Sequence, residues 1–162
     1  MSCMKALVVY FSRTGNTKKI AESIAEELGC DIEEIVDTKN RSGALGFMRS
    51  GKDAMRKSLT KIKDVKCDPS EYDLAIIGTP VWARRLSTPV RTFIHQYTNQ
   101  LSKVAFFATH RGDDAQNAFI DMEELCGKKP VTVMSFRDKE VKEENCIKKI
   151  REFISELKSV NY

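Results

Sequence analysis

Ser12-Arg13-Thr14-Gly15-Asn16-Thr17 sets three hydroxyls, an amide and a glycine in one short run. The run follows a continuous apolar stretch, Ala6 to Phe11, and precedes a helical pattern. It therefore sits where unpaired backbone N–H groups and the positive end of a helix dipole face outward. Such groups bind phosphate: N–H groups and hydroxyls donate to its oxygens, and Gly15 lets the backbone bend close to the anion. A plain helix cap needs only one Ser, Thr or Asn. The chain has neither a GxxxxGK[ST] loop for nucleoside triphosphates nor a GxGxxG turn for a dinucleotide pyrophosphate. A terminal phosphate monoester fits the run best.

A loop of this kind has to be held by the elements around it. Ala6 to Phe11 reads as a strand buried on both faces of a parallel sheet. Ile20, Ile24, Ala25 and Leu28 mark a helix that Gly29 closes. The unit recurs, with further strands near Ile32 to Val36, Leu74 to Gly78, Val104 to Ala108 and Val131 to Met134. Helical patterns lie near Pro89 to Tyr97, Ala115 to Leu125 and Glu144 to Leu157. Leu45, Met48, Met55, Leu59 and Ile62 predict a further amphipathic helix between the second and third strands. Strands alternating with helices imply a single α/β domain over residues 1–162, with five parallel strands and helices on both faces. Ligands of such sheets bind outside the carboxyl ends of the strands, where strand order reverses, so the loops after strands one, three and four belong together.

Tyr10-Phe11-Ser12-Arg13-Thr14-Gly15-Asn16-Thr17 resembles the phosphate loop of flavodoxins, which hold flavin mononucleotide (FMN). Gly78-Thr79-Pro80-Val81-Trp82 and Ser87-Thr88-Pro89-Val90-Arg91-Thr92-Phe93 are similar to a branch of short flavodoxin-like proteins. The resemblance covers nearly the whole chain. It implies a doubly wound sheet of order 2-1-3-4-5, with FMN bound non-covalently. It places Pro80, Val81, Trp82 and Ala83 against the flavin ring, with Thr79 in reach of the phosphate or ribityl chain. Thr109-His110-Arg111-Gly112-Asp113-Asp114 is expected at the other side of the ring or its pyrimidine edge.

Two departures stand out. Familiar flavodoxins commonly carry a stacking tyrosine and an acidic rim, whereas this third loop offers His110 and Arg111. His110 has two readings, a pH-sensitive contact with ring or substrate and an exposed loop histidine without a special role. Many relatives also have glycine close after the position of Trp82, where this chain reads Ala83-Arg84-Arg85. Positive charge near the pyrimidine edge favours the anionic reduced ring, so a flavin less strongly reducing than in acidic flavodoxins is expected.

The chain has 162 residues, 41% hydrophobic and 31% charged, which fits a globular domain rather than a membrane or disordered one. The N-terminus lacks a basic leader and Ala6 to Phe11 is too short to span a bilayer, so a cytoplasmic location is expected. Cys3, Cys30, Cys67, Cys126 and Cys146 are widely spaced, as for reduced thiols, and match no metal motif. Lys and Arg number 27 against 23 acids. The surplus is local: seven cations and two acids lie between Arg49 and Lys66. That segment reads as a docking face for an acidic redox protein, a site for the phosphate of NADPH, or a solvated helix face. No aromatic residues interleave with it, which argues against nucleic acid. Leu45, Phe47, Met48 and Met55 read either as a homodimer contact or as packing of the added helix on the sheet.

These readings converge on electron transfer through FMN, which needs no catalytic acid or base. The alternative is an FMN-dependent NAD(P)H oxidoreductase acting on a quinone, a flavin or a small electrophile. Phospho-acceptor receivers need an Asp where this chain has Gly78-Thr79, and small cysteine phosphatases need a Cys-x5-Arg loop that it lacks.

Overall fold

The computed structural model describes residues 4–112 and 114–159. Cys3, Asp113 and the extreme N-terminus, named above, lie outside them. The elements run β1 (Ala6–Tyr10), α1 (Asn16–Leu28), β2 (Asp31–Glu34), α2 (Gly43–Met55), β3 (Leu74–Trp82), β4 (Arg85–Leu86), α3 (Thr88–Tyr97), β5 (Lys103–His110), α4 (Gln116–Cys126), β6 (Val133–Arg137) and α5 (Asn145–Ser159). Five strands pair in parallel in the order β2-β1-β3-β5-β6, which is the expected winding. The short β4 folds back antiparallel on the end of β3, an element the sequence reading did not foresee.

Alternation along the strands divides the core into two layers. Val8, Ile76 and Phe107 face Ile20 and Ile24 of α1 and Ile150 and Phe153 of α5. Leu7, Val9, Ile77 and Phe106 face Val90 and Phe93 of α3 and Met122 of α4. Gly78 lets the Phe107 ring pack against the β3 backbone, because a Cβ there would collide with that ring.

The helix expected between the second and third strands is α2, which forms the crossover from β2 to β3. It stops at Met55, and Lys57 turns left-handed at φ 53°. Ile62, which continues the helical spacing in sequence, instead bridges Asp37 in an extended segment and is buried. Helix α2 also packs in an unusual sense. Its buried residues are Gly46, Ser50 and Ala54, while Leu45, Phe47, Met48 and Met55 are exposed. Among the described residues no helix is long and apolar enough to cross a membrane.

Candidate functional site

The apolar run of β1 ends in a loop that enters α1 through Gly15, whose φ of 101° favours glycine. Ser12 Oγ accepts a hydrogen bond from the Gly15 N–H at 3.0 Å, so this hydroxyl shapes the loop. The first turn of α1 contains no acidic residue, leaving the positive helix end uncompensated. Arg13 reaches away from that end and donates to the carbonyls of Arg41 and Gly43, at 2.9 and 3.1 Å. The Thr17 hydroxyl lies 2.8 Å from that of Thr109, and both residues are buried. The first and third loops are thereby joined directly.

The second loop is a two-residue hairpin between β3 and β4, with Trp82 paired to Arg85. Its central residues, Ala83 and Arg84, have φ of 49° and 64°. Such turns prefer Asn-Gly, and a left-handed non-glycine residue costs about 1–2 kcal/mol. Neighbouring charges brace the turn on two sides. Arg85 and the buried Arg91 each donate to Asp121 at 3.1 Å. On the other side Trp82 meets Phe11 in a T-shaped pair at 5.6 Å between ring centroids, and the Arg41 guanidinium lies 5.1 Å from the Trp82 ring centre. Arg41 is itself held by Asp37 at 2.5 Å and Asp53 at 3.1 Å.

Thr79 does not fit the ligand contact expected for its side chain. It is fully buried, its hydroxyl is 2.8 Å from that of Ser87, and it accepts from the Ser87 N–H at 3.2 Å. Its hydroxyl fastens the hairpin to the start of α3.

In the third loop Thr109 and His110 end β5, and Asp138 N–H donates to the His110 carbonyl at 2.8 Å. His110 is buried rather than an exposed loop histidine, and its Nδ1 has no partner among the described residues. Arg111 lies over the Phe47 ring at 4.9 Å, and Arg13 approaches the same ring at 5.5 Å. Phe47 of α2 thus gathers cations from the first and third loops.

One cleft of about 700 Å³ unites these features. Arg13, Thr14 and Thr17 line it from the first loop, Pro80, Val81, Trp82 and Ala83 from the second, and Thr109, His110 and Arg111 from the third. Ser12, Gly15, Asn16, Thr79 and Gly112 lie outside this lining. Gly112, with φ 144°, borders a smaller polar cavity that shares His110. The sequence reading missed the wall supplied by Phe47, Met48, Lys52 and Met55 of α2, together with Arg56 just beyond it and Asp138. Its available signal was Gly46, Ser50 and Ala54 at helical spacing, small residues that allow close packing and turn the larger ones elsewhere.

Among the described residues no cysteine lines the cleft. Burial pushes the Cys126 thiol up to about 11, and burial together with the Asp31 charge does the same for Cys30. Both therefore stay protonated near neutral pH.

The flavodoxin family model matches residues 5–150. Among solved structures, the flavoprotein from Lactobacillus acidophilus NCFM, determined in complex with FMN, is 28% identical. The match covers 86% of this chain and 97% of that one, with a TM-score of 0.73. The apo form of the flavoprotein from Lactobacillus acidophilus NCFM matches at 27% identity over 88% and 98% of the two chains, with a TM-score of 0.65. Oxidised flavodoxin 2 from Bacillus cereus shares the fold at 19% identity, covering 96% and 99%, with a TM-score of 0.64. No curated protein matched. With a sheet wound in this order, three loops meeting in one cleft and a family match over most of its length, the chain belongs to the flavodoxin family.

Proposed function

We propose that the protein binds FMN in this cleft and passes electrons through it. The observation that carries the reading is the convergence of the phosphate-type loop with the loops after β3 and β5 on one cavity. The residues present suit the cofactor. An uncompensated helix N-terminus suits a phosphate dianion, and a cleft of about 700 Å³ lies within the usual range for cofactor sites. Backbone N–H groups of Thr14, Asn16 and Thr17 and the Thr14 hydroxyl would hold the phosphate, with Ser12 and Gly15 shaping the loop through the hydrogen bond between them. Pro80, Val81, Trp82 and Ala83 would support the ring from one side. Thr109, His110, Arg111 and Gly112 would meet it from the other. FMN, when bound, supplies transfer of one or two electrons.

Cofactor content tests the reading. The purified protein should be yellow and release a flavin carrying one phosphate. Thr14→Val or Gly15→Ala should weaken FMN binding about tenfold, equivalent to about 1.4 kcal/mol, with a smaller loss for His110→Ala. A colourless protein without affinity for FMN overturns the proposal, and the reverse ranking of variants overturns the loop assignment.

One observation favours the second reading, an NAD(P)H oxidoreductase: α2 gives the cleft an apolar and cationic wall that could receive a small molecule. Rapid bleaching of the flavin by NADH or NADPH, without an added reductase, would select the enzyme. Reduction only through a partner protein would select the carrier, and the Arg49–Lys66 segment is then the docking face for an acidic partner.

A further inference from the structure

Helix α2 presents its larger apolar side chains outward. Met48 and Met55 are 70% and 69% exposed, and both line the cleft. They stand seven residues apart, two turns along one helix stripe, with Lys52 between them and Arg56 next to Met55. The face packed on the protein is made of Gly46, Ser50 and Ala54, so this orientation is built into the helix. An exposed apolar stripe at a cavity favours an apolar occupant, and methionine thioethers adapt readily to aromatic rings.

Charge narrows the class of occupant. Among the described residues, the cleft lining holds Arg13, Lys52, Arg56 and Arg111 against one carboxylate, Asp138. The FMN phosphate, on the reading above, is met by N–H groups and a neutral hydroxyl on the first loop. It does not call on Lys52 or Arg56. The α2 stripe also lacks the paired donors and acceptors that the polar edge of a flavin needs. We propose that the α2 wall binds a second, planar aromatic molecule bearing a negative charge, held beside the flavin between the Met48 and Met55 side chains and the cations Lys52 and Arg56. This rests on the FMN reading. A concave cavity bounded by loops is suited to a small ligand, and docking of an acidic protein is the competing outcome.

The test uses the FMN-loaded protein, with naphthalene-2-sulfonate as probe and naphthalene-2-sulfonamide as its neutral counterpart, by calorimetry and by the visible flavin spectrum. The sulfonate should bind about tenfold more tightly than the sulfonamide and shift the flavin band. Met48→Ser combined with Met55→Ser should weaken both probes about tenfold. Lys52→Gln should reduce the preference for the sulfonate, and FMN retention should be unchanged in both variants. The proposal is overturned if the methionine variant loosens FMN as much as the probes, because the wall then belongs to the flavin. Binding without a spectral shift, absence of binding at millimolar probe, or a Lys52→Gln effect confined to reduction by an acidic redox protein also overturns it. A colourless protein would show, before any probe is added, that the FMN reading has failed and this proposal with it.

Discussion

Arg41 shows how individual residues are made to serve the cleft without entering it. Only 4% exposed, it carries its charge between Asp37 and Asp53 and lays its guanidinium over Trp82. Buried pairs of this kind contribute more to orientation than to net stability. Cys126 illustrates the opposite treatment, a buried group kept neutral. Its pKa rises by burial from 9.0 to about 11, so the folded chain holds the thiol proton more tightly than the unfolded chain. This contribution, on the order of 2 kcal/mol, is complete below the unfolded value and disappears as pH climbs through the folded one. Thermal melts should therefore show Tm falling between pH 9.0 and about 11, with a shallower fall in Cys126→Ala. An unchanged slope in that variant would refute the assignment. Single residues were legible in sequence where a short motif defines local structure, as at Gly15, whose positive φ turns the chain into α1. Thr79 was not, because its hydroxyl answers to Ser87, eight positions away and across a hairpin.

The elements divide into those with an ordinary pattern and those without one. Helix α1 was legible because Ile20 and Ile24 mark its buried face at helical period. The β3–β4 hairpin was not, because Ala83 and Arg84 carry none of the Asn-Gly chemistry that announces such a turn. Its conformation is imposed by packing, chiefly through Asp121. Asp121→Ala should cost about 3–5 kcal/mol, since Arg91 would be left as an unpaired buried charge. Urea denaturation would measure this loss, and a change under about 1 kcal/mol would show that the hairpin is braced in some other way. Helix α2 misled in two respects. Leu59 and Ile62 continue its period beyond the true end, and its large apolar residues suggested burial where the structure buries glycine, serine and alanine.

For the whole molecule, alternating strands and helices made the parallel sheet legible, whereas the order of its strands came from the resemblance of the loops to flavodoxins. The same winding brings the exits of β1, β3 and β5 together, as their registers show: Tyr10 opposes Gly78, and Pro80 opposes Thr109. What a linear reading could not supply was the bond between the Thr17 and Thr109 hydroxyls. It ties the helix that would receive the phosphate to the strand end that would meet the ring. Filling one half of the cleft should therefore alter the readiness of the other half, and by linkage the effect would be mutual. Riboflavin, which has no phosphate, should bind more tightly when inorganic phosphate is added, by about fivefold or more. Thr109→Val should abolish that enhancement while leaving a ring site able to bind riboflavin, as titration of flavin fluorescence would show. On that outcome FMN would be sensed as two communicating parts, and a fragment of it would prepare the protein for the remainder.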